Sequence, residues 1–274
     1  MGLKALNKPL VSVVMATYNE PPEIIGQAIE SVLNQTYTNL ELIIVDDSTD
    51  KETISAIAGY LSDSRVVYEH PEEKLGFVPA LNRGLSLSKG EYIARMDGDD
   101  ICFKDRLEKQ ITFLENNKKI ALTGGQIEII DSKGNLISKR GYPTSKAGLF
   151  IFSCIRSPFA HSTVVMRRDI IDAGFKYDES LPASEDIDLW LRIMYAGYKV
   201  TNIKDTVLKF RVSDDFAEKR SGDKEVIYTA LARKKNFSGR HFLHWLLSYL
   251  FSRIYLYMPS KWLAFMHKKQ NHQC

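Results

Sequence analysis

The sequence predicts an α/β fold built on a mostly parallel, doubly wound sheet. Near-continuous apolar runs at residues 10–16 and 40–45 are typical of strands that are covered on both faces. Segments with apolar residues at helical spacing separate these runs, and the alternation continues over roughly the first hundred residues. Repeated β-α-β alternation predicts parallel strands with helices on both sides of the sheet.

The remaining elements of the first half follow in order. Pro21 and Pro22 suit the start of the first helix. We expect Thr49 to cap the second helix, with Glu52 completing a capping box three residues later. The other predicted elements are a strand at 65–68, a helix at 78–87 and a strand at 91–96.

The second half has a different pattern. Residues 120–130 and 136–140 flank a polar turn at 131–135, which predicts a hairpin. An amphipathic helix is predicted over 184–195, and further strands over 161–166, 199–203 and 207–212. Mixed pairing after a parallel start predicts one α/β domain whose second half shapes an acceptor site.

Composition excludes several classes of protein. The chain has 274 residues, enough for one domain with an appendage, and its net charge of +3 is too small to indicate nucleic-acid binding. Three widely spaced cysteines form neither a disulfide framework nor a cysteine metal site, which favours a reducing compartment. Residues 1–9 lack the apolar core of a signal peptide. We therefore expect a location in the cytosol or on a cytosol-facing membrane surface.

Three carboxylates crowd the end of the strand at 91–96, on Asp97, Asp99 and Asp100. Capping a helix needs one such side chain, whereas three repel one another unless a cation lies among them. Hard cations such as Mg²⁺ and Mn²⁺ take oxygen ligands and bridge to substrate phosphates. The oxygen-ligand spacing of a calcium EF-hand is missing. The turn predicts a metal–diphosphate site; a solvated acidic turn is the alternative.

Two further acidic clusters lie at element ends. Asp46 ends the second strand beside Asp47, where parallel sheets bind ligands, and suits a base imide or a ribose hydroxyl; a structural role is the alternative. Glu185 and Asp186 begin a helix, and the helix macrodipole stabilises acidic residues at that end. Asp186 is also placed to act as a general base, and the spacing does not decide between these roles.

Seven segments in order resemble the family-2 glycosyltransferases. They span about residues 10 to 212, and the match is specific for the family but much less so for the substrate. The segments are VSVVMATYN at 11–19, SVLNQTY at 31–37, ELIIVDDSTD at 41–50, LNRG at 81–84, GEYIARMDGDD at 90–100, HSTVVMRR at 161–168 and EDIDLWLR at 185–192.

The resemblance implies a GT-A-type fold, with a Rossmann-like, mixed but mostly parallel sheet flanked by helices. It also implies inverting transfer from a nucleoside-diphosphate sugar, with a UDP-sugar favoured, to a hydroxyl of a glycan or polyprenyl-linked acceptor in O-antigen, capsule or exopolysaccharide synthesis. An inactive sugar-nucleotide-binding subunit is one alternative. A nucleotidyl or phosphoryl transferase is another, although the chain has no glycine-rich phosphate loop followed by Lys and Ser or Thr.

The same resemblance assigns roles to single residues. Asp97 contacts the ribose or the metal, Asp99 ligates Mn²⁺ or Mg²⁺, and Asp186 with Glu185 supplies the base. Arg83 contacts the donor, unless it is a solvated helix residue. The residues expected to hold the nucleotide base are Ala16, Thr17, Glu20 and Asp46.

The chain departs from the family pattern at two places. The last strand is followed by Arg211 but by no histidine, and we expect this arginine to reach the diphosphate because guanidinium suits phosphate. The polar residues 213–222 form either a lid or an ordinary surface loop. Pro21 and Pro22 alter the contacts expected of Glu20, and a structural role is favoured for His161 over assistance to the metal.

The C-terminal part is rich in aromatic and basic residues. Apolar runs at 242–251, 254–258 and 262–266 are each too short to span a bilayer, and their basic flanks fit a helix in the membrane interface. Packing on the catalytic domain or in a dimer is the alternative. We expect a catalytic domain at 1–222, with nucleotide and acceptor halves at about 8–118 and 119–222, and a helical extension at 223–274.

Overall fold

A nine-stranded mixed sheet organises the protein. The computed structural model describes residues 8–181, 183–212, 223–236 and 239–257. Its strands are β1 (Val11–Thr17), β2 (Leu40–Asp46), β3 (Val66–Glu69), β4 (Tyr92–Asp97), β5 (Ile101–Cys102), β6 (Ile120–Ile130), β7 (Leu136–Arg140), β8 (Val165–Arg167) and β9 (Lys199–Arg211). Its helices are α1 (Pro22–Leu33), α2 (Lys51–Ala58), α3 (Phe77–Leu87), α4 (Arg106–Asn116), α5 (Lys146–Ser153), α6 (Arg168–Asp172), α7 (Glu185–Tyr195), α8 (Asp223–Lys235) and α9 (Phe242–Tyr257).

The strand order is β3-β2-β1-β4-β8-β6-β9-β5, with β7 paired to β6. Strands β1 to β4 pair in parallel, and β8 then enters antiparallel between β4 and β6. The predicted parallel start with a mixed second half is therefore confirmed. In this register Ala16 lies opposite Asp97 and Thr17 opposite Asp46, so the carboxyl ends of three strands meet at one edge.

Strand β1 is buried on both faces, which explains its continuous apolar sequence. Val13 and Met15 pack in a cluster with Ile25 and Ile29 of α1, on one side of the sheet. Val14 and Ala16 point to the opposite side, in a second cluster that includes α3. This double covering fixes the edge at which the functional side chains emerge.

Three local expectations were wrong. Asp50, not Thr49, caps α2 by accepting the Thr53 amide at 3.2 Å, whereas the Thr49 hydroxyl accepts from Asn19 Nδ2 at 3.3 Å and the Thr49 amide donates to Asn19 Oδ1 at 2.8 Å. The strand expected at 161–166 begins as a 3-10 turn, His161–Thr163, before β8. The two late strands form one, β9, because shifts in its register against β6 accommodate the polar residues 204–206.

The described parts of the C-terminal helices pack on the domain. Ala232 of α8 is fully buried against Ile187 and Leu191 of α7. His244 of α9 lies 2.8 Å from Ser153 Oγ and 2.6 Å from the Tyr195 hydroxyl. Leu243 of α9 is 61% exposed, so the helix also presents apolar surface to solvent. None of the helices in these described ranges is both long and apolar enough to cross a bilayer.

Candidate active site

The loops after β1 and β2 are locked together by Asn19. Its backbone has a φ of 57°, and its side-chain Oδ1 accepts the amides of Thr49 at 2.8 Å and Asp50 at 2.9 Å. The backbone amide of Asn19 donates to Ser48 Oγ at 2.8 Å. These bonds set the shape of the two loops that border the strand ends.

The acidic turn consists of residues 97–100 and follows β4. One carboxylate oxygen from each of Asp97, Asp99 and Asp100 lies within 4.8 Å of the others. Asp100 is fully buried, and its Oδ2 accepts no hydrogen bond from the part of the chain that the structure describes. A Cβ added at Gly98 would lie 3.2 Å from Glu20 Cδ, so Glu20 brings a fourth carboxyl group beside the turn.

This crowding disfavours the ionised form of the carboxylates, which a bound cation would stabilise. Burial, reinforced by the charges of Asp97 and Glu20, raises the pKa of Asp99 to about 7. Burial also raises the pKa of Asp100 well above its usual range, again with support from the neighbouring carboxylates. The donor set is oxygen only and includes the buried, unpartnered Asp100 Oδ2. The residues therefore fit a hard divalent cation such as Mg²⁺ or Mn²⁺.

Arg95 is the buried positive charge of the site, with 3% of its surface exposed. It forms an ion pair with Asp97 and donates to Ser162 Oγ at 3.0 Å, while Ser162 donates to Asp97 Oδ2 at 2.6 Å. Burial alone would raise the pKa of Asp97, but the charge of Arg95 outweighs it and holds that pKa below its usual value. Asp97 is therefore ionised and fixed in orientation.

Neither Arg95 nor Ser162 was assigned a role from the sequence. The usable signal was an arginine inside an apolar strand, two residues before an aspartate. Residues i and i+2 of a strand share a face, so the alternation of the strand could have revealed the pairing of Arg95 with Asp97. Ser162 had no comparable signal, because it reaches Asp97 across 65 residues of sequence.

The predicted base-binding residues lie together at the edge of the sheet. Thr17 donates to Glu20 Oε2, which also accepts the Tyr18 amide at 2.8 Å. Asp46 is fully buried, and its carboxylate accepts from the Ser48 amide at 2.9 Å and the Tyr68 hydroxyl at 2.8 Å. The contact of Asp46 with a nucleotide base stays a prediction, and it requires the Tyr68 hydroxyl to move away from the Asp46 carboxylate.

The two predicted arginines have different surroundings. Arg83 is half exposed and pairs with Glu69 at 2.6 Å. Arg211 is buried, and its amide donates to Asp100 Oδ1 at 2.9 Å while its Nε donates to the Asp99 carbonyl at 2.9 Å. Its other nitrogens donate to Ser132 O at 3.0 Å and Gln27 Oε1 at 2.7 Å. Arg211 thus braces the acidic turn, and its contact with a diphosphate stays a prediction.

The acidic end of α7 is the second centre of negative charge. Burial and the neighbouring Asp186 raise the pKa of Glu185 to about 7, and the charges of Arg95 and Asp97 also act on it. The end of α7 is linked to the acidic turn because Trp190 of α7 packs against His161, the neighbour of Ser162, which donates to Asp97. His161, between the two, pairs with the Tyr177 hydroxyl at 2.7 Å and packs against Trp190, which agrees with a structural role.

The comparisons with known proteins define the class: this is a glycosyltransferase with a GT-A-type fold. The model of Glycosyl transferase family 2 matches residues 12–175, and the chain belongs to that family. It is 35% identical over 264 residues to an uncharacterized glycosyltransferase of Methanocaldococcus jannaschii, covering 90% of this chain and 89% of the relative.

Two further proteins are similar. The amylovoran biosynthesis glycosyltransferase AmsE of Erwinia amylovora is 34% identical over 266 residues, covering 95% of this chain and 98% of AmsE. The crystal structure of S. aureus TarS 1-349 in complex with UDP superposes with a TM-score of 0.66 at 18% identity, covering 92% of this chain and 73% of the TarS 1-349 chain. At that identity the TarS likeness establishes the fold, and it confirms the predicted GT-A-type architecture.

We predict that Arg95→Met lowers the free energy of unfolding by about 3–5 kcal/mol, because it leaves Asp97 as a buried charge among other carboxylates. Lys118→Met removes an exposed pair with Glu115 and should cost at most about 1 kcal/mol. Urea denaturation measures both. Adding Asp97→Asn to Arg95→Met should recover part of the loss, whereas additive losses would show that the pair is not coupled.

Proposed function

We propose that this protein transfers a sugar, with inversion, from a UDP-sugar to a hydroxyl of a glycan or polyprenyl-linked acceptor. The observation that carries the proposal is the pair of separate acidic centres, one suited to a cation and one to a proton. Family membership supports sugar transfer as the reaction. The name of AmsE supports a place in surface-polysaccharide synthesis, and the UDP bound by TarS supports the nucleotide.

The donor would lie across the carboxyl ends of β1, β2 and β4. We assign the base to the edge formed by Ala16, Thr17, Glu20 and Asp46, and the ribose to Asp97. Arg83 is assigned to the donor. Arg211, which also braces the acidic turn, is assigned to the diphosphate of the donor. Arg95 holds Asp97 Oδ2 in place, which leaves its other oxygen for a ligand.

Asp99 and Asp97 would hold Mn²⁺ or Mg²⁺ beside the diphosphate. When bound, the metal would act as a Lewis acid that neutralises charge on the leaving nucleoside diphosphate. The buried Arg95 contributes a fixed positive charge to the same centre. Together these charges favour departure of the diphosphate.

Asp186 would accept the proton of the acceptor hydroxyl. As this proton leaves, the hydroxyl oxygen bonds to the anomeric carbon and the bond from that carbon to the diphosphate oxygen breaks. Attack from the face opposite the leaving group inverts the anomeric configuration in one displacement, without a protein nucleophile. An ionised Glu185 would add a second negative charge beside Asp186 and so favour movement of the hydroxyl proton toward this end of α7.

The exposed apolar residues of α9 would rest on the inner surface of the cell membrane. Phe242 is 51% and Leu243 61% exposed, and the helix is preceded by Lys234 and Lys235. Such a surface suits the membrane interface, where a polyprenyl-linked acceptor resides. Residues 213–222, expected to form either a lid or an ordinary surface loop, and the apolar run 262–266 lie outside the described residues.

Sugar-nucleotide turnover tests the proposed function. Release of nucleoside diphosphate should be measured across a panel of sugar nucleotides with Mn²⁺, with Mg²⁺ and with chelator, while thermal shift follows binding. We expect metal-dependent binding of one UDP-sugar and slow release of UDP without acceptor. A folded protein that binds no sugar nucleotide would favour a non-catalytic role.

We predict that Asp186→Asn lowers the transfer rate at least about 100-fold, because it removes the base without changing shape. Calorimetric UDP affinity in the presence of Mn²⁺ should stay within about twofold. Asp169→Asn, at an exposed position of α6, serves as the matched control. Normal turnover by Asp186→Asn would refute its role as the base.

The transfer rate should also depend on the protonation of Glu185. Since burial raises the pKa of this carboxyl to about 7, the wild-type rate should rise with pH through that value as the group ionises. Glu185→Gln should lack this step in the pH–rate profile. A step of equal size near pH 7 in Glu185→Gln would assign the ionisation to another group.

We predict that Asp99→Ala abolishes the gain in UDP affinity that Mn²⁺ provides, because it removes a proposed ligand. Titration calorimetry of UDP with Mn²⁺ and with chelator measures this difference independently of turnover. Asp105→Ala, at the residue preceding α4, is the control. An unchanged dependence on manganese would show that Asp99 is not a ligand.

A further inference from the structure

The turn that begins α7 is under backbone strain. Ser184, directly before Glu185, has φ 65° and ψ 28°, and its side chain makes no capping hydrogen bond to the helix. A left-handed conformation is unfavourable for a residue other than glycine, because its Cβ approaches the following carbonyl oxygen. The proposed base therefore lies beside a strained residue that other parts of the chain must hold in place.

Helix α8 contacts this turn on both sides. The Thr229 hydroxyl lies 3.2 Å from Ser184 Oγ, before the acidic pair. The side-chain amide of Asn236, the residue directly after α8, donates to Asp188 Oδ1 at 2.6 Å, beyond the acidic pair. Lys235 holds the preceding loop through an ion pair with Asp178 and a 2.9 Å bond to Ser180 Oγ.

The contact through Asp188 is demanding because this carboxylate is fully buried. Its Oδ2 is bound by Arg192 at 2.7 Å, and Asn236 supplies the donor for the other oxygen. A buried carboxylate that loses a donor is strongly disfavoured, so α8 has one register against α7. Arg233 fixes α8 to α5 by donating from two nitrogens to the Ser153 carbonyl, at 3.2 and 3.0 Å.

We propose that Thr229 and Asn236 are positioning residues that fix Glu185 and Asp186 relative to the acidic turn. This inference rests on the proposed function of the acidic pair. Residues 229 and 236 lie beyond the segment 12–175 that matches the family model, as do Glu185 and Asp186, so this end of the proposed site is built and supported by residues outside that segment. Small displacements of a base cost large factors in rate, which gives these remote contacts a kinetic consequence.

Exchange of one hydroxyl tests the inference in the full-length protein. Thr229→Val keeps the shape of the side chain but removes its hydrogen bond, whereas Thr229→Ser keeps the hydroxyl. We expect Thr229→Val to lower kcat for the donor found by the panel about tenfold, with UDP–Mn²⁺ affinity within twofold of wild type. Thr229→Ser should stay within about twofold in kcat. Thr112→Val makes the same exchange at an exposed position of α4 and should have no effect.

Asn236→Leu provides a second test from the other side of the turn. Its kcat, corrected for the folded fraction by thermal melting, should fall at least as far as that of Thr229→Val. If both variants keep wild-type kcat, or if Thr229→Ser falls as far as Thr229→Val, the positioning role is refuted.

A non-kinetic readout separates this inference from the proposed function. Carbon NMR of ¹³C-labelled glutamate follows the titration of Glu185 in the absence of substrate. If the wild type transfers no sugar, or if Asp186→Asn transfers normally, the proposed function fails, and the titration then decides the positioning role. A midpoint that moves toward the ordinary glutamate range in Thr229→Val supports it, and an unmoved midpoint refutes it.

Discussion

The burial of one guanidinium among carboxylates is the constraint on which the site depends. Arg95 enters the interior on β4 and meets Asp97 on the same face of that strand. Without this cation, burial would drive Asp97 toward its neutral form, as it does the neighbouring Asp99 and Asp100. With it, Asp97 stays ionised, while burial and neighbouring carboxylates raise the pKa of Asp99 to about 7 and that of Asp100 well above its usual range. A divalent cation would stabilise the ionised form of both groups, so the centre suits such a cation.

Two braces from distant parts of the chain hold this arrangement. Arg211, at the end of β9, binds the acidic turn by its backbone and side chain, so that a strand late in the sequence sets the position of Asp99 and Asp100. Helix α8 similarly supports the acidic end of α7. Both acidic centres thus lie at the ends of elements and derive their rigidity from residues in distant segments of the chain. Such supporting contacts orient the groups that would act on a substrate.

Local sequence patterns predicted the elements better than the contacts between them. The hairpin of β6 and β7 and the parallel order of β1, β2 and β4 followed from alternation and turn chemistry. The cap of α2 did not, because Asn19, 30 residues away, binds both the hydroxyl and the backbone amide of Thr49. Ser162 and Arg211 were similarly unpredictable as partners of the acidic turn, since each reaches it from a distant segment. The sequence identified which side chains carry charge, whereas tertiary packing decided which charges are neutralised.

Manganese anomalous diffraction tests directly whether the acidic turn binds a divalent cation together with UDP. Crystals soaked with Mn²⁺ and UDP should give a peak beside Asp99, within about 2–2.5 Å of a carboxylate oxygen and of the diphosphate. The ion pair of Arg95 with Asp97 should remain intact beside it. A nucleotide bound at the sheet edge with no manganese at this turn, or a manganese peak elsewhere, would contradict the account.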